Sequence, residues 1–371
     1  MKKIGLYVHI PYCIHKCHYC DFISFSGKEE TIKTYIETLK KEIDECKYTG
    51  FDIGTIYIGG GTPSAIDEKY ITEILSKIKE KFIVTQDVEI TLEVNPGTIT
   101  REKLKEYKKT GVNRLSIGLQ STDNEILKKI GRIHTYEEFL ETYNMAREEE
   151  FNNINVDLMF ALPDETEESI AIQVSEVINL NPEHISIYSL IIEENTKLKQ
   201  MLENKEIEIP SDEEERKMYW KIKELLEENE YEHYEISDYS KPGYYSKHNS
   251  DCWSQKEYLG FGVAAHSYIN AKRFSNSKTI EEYIKNYNYK DIEEEQDKEG
   301  MAKEYMMLGL RKIQGVSISA FERKFQINPL FYFRFEISKL VEEDLIEIDL
   351  DNIKLTHKGL DLANLVFEEF I

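Results

Sequence analysis

Short β-branched runs and charged segments with helical spacing alternate six times in the first 200 residues, and this alternation restricts the fold more than any other feature. The runs are KIGLYVHI (3–10), TIYI (55–58), VEITLEV (88–94), NRLSIGL (113–119), NINVDLMF (153–160) and HISIYSL (184–190). Between them lie EETIKTYIETLKKEIDE (29–45), DEKYITEILSKIKEKF (67–82), TREKLKEYKK (100–109), TYEEFLETYNMAREE (135–149) and TEESIAIQVSEVINL (166–180). Strand followed by helix, repeated, requires parallel strands with helices packed outside. Right-handed crossovers wind such a sheet into an open or closed barrel. The expectation is therefore an α/β chain built on a partial (β/α)6 barrel of the TIM type. No G-x-G-x-x-G follows the first run, which argues against a dinucleotide-binding fold.

The character changes after about residue 200. A charged helical stretch (211–230) precedes an aromatic, Gly- and His-rich region (231–270) and an acidic, linker-like run (280–300). Residues 301–371 read as a mainly helical unit with a hairpin, LIEIDLDNIKLT, and a last helix, GLDLANLVFEEF, an outline that a winged helix would share. The division expected is 1–235 for the barrel, 236–300 for an intervening region with the acidic linker, and 301–371 for the C-terminal unit. That last unit carries 9 basic against 12 acidic residues, and the whole chain a net charge of −23, so nucleic-acid binding is not favoured. No apolar run approaches the length of a membrane span. MKKIGLYVHIPYC lacks the apolar core of an export signal and reads as a strand. Five cysteines, an odd number with three clustered, do not form a disulfide framework and fit a reducing cytoplasm.

In parallel barrels the chemistry collects where strands end. Cys13, Cys17 and Cys20 come just after the first run, and GGGTPS (59–64) follows the second. Glu93 and Asn95 close the third, Gln120 follows the fourth, Asp157 is near the end of the fifth, and Tyr188 is late in the sixth. The spacing C-x3-C-x2-C can hold three irons of a cubane cluster and leave the fourth open. A zinc site completed by His15 or His18 is the competing reading, and three unligated thiols the plainest one. An open iron needs a chelating partner, and S-adenosylmethionine (SAM) offers an amino and a carboxylate group. Carbonyls of the Gly59–Gly61 run suit an ammonium. Glu93, Asp157 and Gln120 suit an ammonium and ribose hydroxyls, and the planar fork of Arg132 suits a carboxylate. A glycine run alone is an ordinary turn and each polar residue alone an ordinary loop group; it is their joint placement beside the cysteines that carries weight.

With these motifs the chain resembles the radical SAM superfamily, in the branch that holds oxygen-independent coproporphyrinogen III oxidase and its haem-chaperone relatives. The resemblance runs through YVHIPYCIHKCHYCDF, IYIGGGTPS, EITLEVNPGT, RLSIGLQS, GRIHTYEE, NVDLMFALP and HISIYSL. It continues through YEISDYSKPGYYSKHNSDCW, YLGFGVAAHS and MMLGLRKIQGV. It implies a barrel of the radical SAM type, with Cys13, Cys17 and Cys20 on a [4Fe–4S] cluster whose unique iron is chelated by SAM. By the same resemblance Tyr7 and Tyr19 pack near SAM, and Gly60, Gly61 and Thr62 receive its methionine end. Glu93, Gln120, Arg132 and Asp157 supply its remaining contacts. In the superfamily an electron from the cluster breaks a S–C bond of SAM to give a 5′-deoxyadenosyl radical.

The oxidase branch has a fourth cysteine two residues after the third, where this chain has Phe22. That departure implies the haem-chaperone branch, which binds haem and passes it to an acceptor protein. The branch carries H-N-x-x-Y-W, and this chain reads His248-Asn249-Ser250-Asp251-Cys252-Trp253, with Cys252 where Tyr is usual. His248 is accordingly the expected haem-binding residue, and Cys252 is read as a small buried hydrophobe rather than a second ligand. Ala161, where relatives have Gly, is a second departure. His9 and His266 carry no assigned role, and Cys46 is read as structural. The expected cofactors are the cluster, SAM and haem; the expected partner is an unidentified haem acceptor, with peripheral association with membrane proteins and no nucleic acid. The competing function is a radical SAM enzyme, either a coproporphyrinogen III decarboxylase or a two-SAM methyltransferase.

Overall fold

A computed structural model describes residues 2–25 and 27–371. Its main sheet has 12 strands: β1 (Lys3–Ile10), β2 (Asp52–Gly60), β3 (Ile83–Val94), β4 (Arg114–Gln120), β5 (Ile154–Phe160), β6 (His184–Ser189), β7 (Glu232–Glu235), β8 (Asp238–Ser240), β9 (Tyr258–Phe261), β10 (His266–Ile269), β11 (Lys272–Ser275) and β12 (Asp291–Glu295). Strands β1 to β6 pair in parallel in sequence order. Strand β9 adds in parallel to the free side of β1, and β8 closes the other side antiparallel to β6. All six expected strands and all five expected helices of the barrel are present.

Every barrel strand is apolar toward the helices and polar toward the axis. Ile4, Leu6, Val8 and Ile10 of β1, and Leu115, Ile117 and Leu119 of β4, are buried in one continuous core with the helix faces. Alternate residues point the other way, because side chains in a strand have period two. The register lines them up across the sheet: Tyr7 opposes Tyr57, Tyr57 opposes Thr91, and Thr91 opposes Arg114. Further along, Glu93, Ser116, Asn155 and His184 are neighbours, as are Gly118, Asp157, Ser186 and Asp238. A polar interior is the opposite of the packed core that fills a purely structural small barrel.

The helices form for local reasons. Thr135 with Glu138, Thr166 with Ser169, and Ser211 with Glu214 make capping boxes that satisfy free N–H groups at three helix starts. A short helix, Asn124–Lys129, was not expected. Six residues give too few turns for a periodic signal, but Asp123 caps it through the N–H groups of Glu125 and Ile126. The acidic run 280–300 is no free linker: it holds a helix, Ile280–Lys285, and β12, which pairs with β11. Lys290 reaches back to the buried Glu42, which also accepts from Tyr283 Oη at 2.6 Å and Asn276 Nδ2 at 2.8 Å. This ties the strands β9 to β12 to the first helix of the barrel.

The C-terminal unit has its own core, centred on Met306, Phe321, Phe333, Ile337 and Phe370. Helices surround a three-stranded sheet in the order β13 (Val316–Ser317), β15 (Asn352–Leu355), β14 (Ile346–Asp349), a winged-helix-like arrangement. The last expected helix is broken at Leu362 into His357–Asp361 and Ala363–Glu368. Backbone bonds Ile236 N to Arg311 O (3.1 Å) and Ile313 N to Tyr234 O (3.1 Å) stitch the unit to β7. Arg311 pairs with the buried Glu235 at 2.7 Å, and Trp220 stacks on His357 with ring centroids 3.5 Å apart. Among the described residues no helix is long and apolar enough to cross a membrane.

Ala161, just after β5, is buried with φ +57°. A Cβ is disfavoured there, so glycine would hold this backbone at lower cost. Ala161→Gly is expected to raise unfolding stability by about 0.5–1 kcal/mol once the extra unfolded-state freedom of glycine is subtracted. Urea denaturation checks this, and an unchanged or lower midpoint refutes it.

Candidate functional site: the mouth of the barrel

The loop after β1 is held against the loop after β2 by their backbones. Gly61 N donates to Ile10 O (2.8 Å) and Thr62 N to Tyr12 O (2.7 Å). At Gly61 a Cβ would lie 2.8 Å from Tyr12 O and 3.0 Å from Cys13 Sγ, so only glycine permits this approach. Gly60 has φ +119°, and a Cβ there would strike the His9 ring at 2.7 Å. His9 in turn is fixed by Tyr7 Oη (2.9 Å) and by Ile23 O (3.2 Å), so it braces the cysteine loop from below.

A chain of polar contacts runs around the mouth. Cys13 Sγ lies 3.4 Å from Thr62 Oγ1, which accepts from Asn95 Nδ2 at 2.9 Å. Asn95 Oδ1 accepts from Arg132 Nη1 at 3.1 Å. The Arg132 guanidinium lies over the Tyr19 ring, 6.0 Å from its centroid. Its Nε is buried with no partner, and it pairs with no carboxylate among the described residues. Burial works against the Arg132 charge, but Tyr19 and Cys17 beside it hold its pKa above the usual value. Cys17, Thr62, Asn95 and Arg132 line one cavity together.

The carboxylates lie one layer deeper. Glu93 accepts from Tyr57 Oη (2.9 Å) and Gly60 N (3.0 Å), and burial pushes its carboxyl up to about 7, with Asp157 adding to the shift. Asp157 accepts from Asn155 Nδ2 (2.7 Å) and Ser116 Oγ (3.1 Å), and burial raises it to about 6. Gln120, buried at φ +74°, accepts from Tyr188 Oη at 2.9 Å. A non-glycine residue in that region costs of order 1–3 kcal/mol and marks a position over-determined by its surroundings. The unexpected helix Asn124–Lys129 supports this side: Ile126, Leu127 and Ile130 pack with Met159 and Leu162 beneath Tyr19 and Tyr188.

The structure thus brings Tyr7, Cys13, Cys17, Tyr19, Cys20, Gly60, Gly61, Thr62, Glu93, Gln120, Arg132 and Asp157 to the C-terminal end of the barrel strands. It does not bring His248 there. His248 starts the helix Lys247–Trp253, whose first N–H groups, Lys247 N (3.2 Å) and His248 N (3.1 Å), donate to Glu89. Its Nδ1 is 2.9 Å from Thr55 Oγ1, and a Cβ on Gly5 would lie 3.2 Å from its ring. Gly5, Thr55 and Glu89 are neighbours across β1, β2 and β3, toward the start of β1 and roughly 17 Å of strand from Ile10. His248 therefore plugs the barrel floor. Cys252, on the same helix, has its thiol pushed up to about 12 by burial and stays protonated, as a small hydrophobe would.

All three cysteines are free and partly exposed. Among the described residues no group of three His, Cys, Asp or Glu is drawn tightly enough to hold one metal ion. In a mononuclear zinc shell thiolate sulfurs stand about 3.8 Å apart, and a cubane spreads them further. His18 is spoken for, with Nδ1 2.9 Å from Lys129 O and Nε2 2.8 Å from Lys197 Nζ. Three free thiols beside an arginine with an orphaned N–H fit a cluster with an anionic co-ligand better than zinc. Residues that the sequence reading missed, Tyr57, Ser116 and Asn155, all hold the two carboxylates. Their signal was present in the period-two alternation of the strands.

Comparison with known proteins identifies the family. Residues 7–172 match the Radical SAM superfamily model, and residues 296–362 match the HemN C-terminal domain. Heme chaperone HemW of Lactococcus lactis is 36% identical over 372 residues, covering 100% of this chain and 98% of that protein. Heme chaperone HemW of Bacillus subtilis is 37% identical over 373 residues, covering 98% of each. The chain belongs to the HemW family of radical SAM proteins. Its fold also matches the solved coproporphyrinogen III oxidase (HemN) of Escherichia coli, with a TM-score of 0.86 and 23% identity, covering 100% of this chain and 90% of that one. HemW membership and the HemN-like fold agree with the α/β barrel and C-terminal unit read from the sequence.

Proposed function

We propose that this protein is a haem chaperone: it binds a [4Fe–4S] cluster and SAM at the barrel mouth, carries haem, and delivers it to an acceptor protein in the cytoplasm. The observation that carries the reading is Phe22, 64% exposed where a fourth cysteine would stand, in a chain aligned end to end with heme chaperones. Cys13, Cys17 and Cys20 would hold the cluster and leave one iron for SAM. When bound, the cluster supplies one electron for cleavage of a S–C bond of SAM. Arg132, with no anion of its own, would take the SAM carboxylate through a charge-assisted hydrogen bond. Glu93 would take the ammonium, with the nearby Gly60 and Gly61 backbone, and Asp157 and Gln120 the ribose. Tyr7 and Tyr19 wall the site.

Haem titration of anaerobically reconstituted protein tests the reading. A Soret band that saturates with haem is expected. No spectral change, together with coproporphyrinogen turnover and release of 5′-deoxyadenosine, would replace the chaperone by the enzyme.

A further inference from the structure

His18 stands between Cys17 and Tyr19, and each of its polar atoms is bonded to a segment outside the cysteine loop. Its backbone N donates to Ile130 O at 2.9 Å, and its Nδ1 lies 2.9 Å from Lys129 O. Its carbonyl accepts from Leu198 N at 2.8 Å, and its Nε2 lies 2.8 Å from Lys197 Nζ. A carbonyl only accepts, which assigns the ring proton to Nδ1 and leaves Nε2 as the lone pair that meets the lysine. Both ring nitrogens are committed, so the imidazole has one orientation.

The partners matter because of where they stand. Lys129 and Ile130 end the short helix Asn124–Lys129, and the last carbonyls of a helix have no partner inside it. His18 caps that end from the loop after β1. Gly131 and Arg132 follow at once. Gly131 has φ +78°, and a Cβ there would lie 2.6 Å from His18 Cδ2, so the turn is built around the imidazole. Arg132 N donates to Leu127 O at 2.8 Å, which fixes the backbone from which the guanidinium reaches Asn95. On the other side Lys197 and the buried Leu198 open the helix Lys197–Glu203. The segments after β1, β4 and β6 therefore meet at one side chain.

This arrangement fixes a distance. The cysteines belong to the loop that carries His18, and Arg132 belongs to the turn that His18 holds. A ligand anchored both on an open iron and on the arginine needs that span to be right, and a misplacement of about 1 Å is costly for positioned groups.

We propose that His18 is a positioning residue: through Lys129 O and Lys197 it sets the span between the cluster cysteines and the Arg132 guanidinium, and with it how well SAM meets both. It acts through the turn that carries Arg132. The inference rests on the reading of the mouth as a cluster and SAM site.

His18→Phe and His18→Asn separate the bonds from the packing. Phenylalanine fills the space against Gly131 without a polar atom, whereas asparagine keeps an N–H for Lys129 O. The reconstituted full chains are assayed for iron and sulfide and titrated with SAM by calorimetry. Reduced with dithionite, they are then followed by electron paramagnetic resonance with and without SAM. Both variants are expected to hold wild-type iron, since no thiol is lost. SAM affinity should fall roughly tenfold in His18→Phe and return to within about threefold of wild type in His18→Asn. The His18→Phe signal should match wild type without SAM and depart from it at saturating SAM, which a partly unfolded sample would not produce. In the unloaded proteins, the amides of Gly131 and Arg132 should exchange hydrogen faster in His18→Phe than in wild type or His18→Asn.

Wild-type SAM affinity in His18→Phe would overturn the role alone, as would an unchanged SAM-bound signal, absence of rescue in His18→Asn, or loss of iron in either variant. Wild type that holds its cluster but binds no SAM would overturn the reading of the mouth, and the role with it.

Discussion

Cys17→Ser protein, reconstituted with iron and sulfide under anaerobic conditions, is expected to come out colourless and to hold less than a tenth of the wild-type iron. Serine keeps the shape of the loop but replaces a soft thiolate by a hard, protonated hydroxyl, which iron–sulfur clusters do not accept as an equal ligand. Two remaining thiolates cannot hold three irons. His18 is bonded on both nitrogens and Phe22 offers no donor atom, so neither replaces the lost thiolate. SAM affinity should fall with the cluster, since the open iron is one of the anchors proposed for it. The fold should survive: Cys17 is partly exposed, and the loop backbone is held by bonds such as His18 N to Ile130 O at 2.9 Å. Iron and acid-labile sulfide assays with circular dichroism read both halves. Full cluster content in Cys17→Ser would sink the ligand assignment.

The second large effect is on pH. Burial raises the Glu93 carboxyl to about 7, so below that pH the empty site holds a neutral acid. If the Glu93 carboxylate takes the ammonium of SAM as proposed, each pH unit below about 7 weakens SAM binding up to tenfold. Asp157, raised to about 6, adds a shallower step below it. Glu93→Gln should remove the step near 7, keep the one near 6, and lose roughly ten- to a hundredfold in affinity at pH 8. The sign for stability is opposite. A carboxyl whose folded pKa is raised stabilises the fold below its unfolded value, near 4.5, and that contribution is lost as pH climbs through about 7. The unloaded Glu93→Gln protein should therefore be more stable than wild type at pH 8. Calorimetric SAM titrations from pH 5.5 to 8.5 measure the first effect; an identical slope in wild type and variant would refute it.

The barrel was legible because its strands are β-branched runs buried on the helix side, where transfer from water dominates and leaves a pattern in sequence. Cys13, Arg132 and Asp157 were legible for another reason: in a parallel barrel, residues far apart in the chain share an end if each follows a strand. What the sequence hid depends on contacts that have no local signature. The helix Asn124–Lys129 is too short to show a period, yet it sets the wall behind Tyr19. Strands β7 to β12 are three to five residues long and exist because β1 and β6 offer open edges. The placement of His248 is another case: its helix starts on Glu89, more than 150 residues away, and no local pattern shows that contact.

The polar lining of the barrel also bears on how long an empty molecule lasts. Tyr57, Glu93, Arg114, Asp157 and His184 are removed from bulk water without the apolar packing that such a volume would otherwise provide. Arg114 Nε lacks any partner. Part of the stability is thus deferred until a ligand arrives, and a ligand at a hundred times its dissociation constant adds about 2.7 kcal/mol. Loaded and unloaded copies then differ roughly a hundredfold in the fraction unfolded at any moment. Proteases that act on opened chains will clear the unloaded copies first, so cofactor supply sets the abundance of the protein as well as its activity.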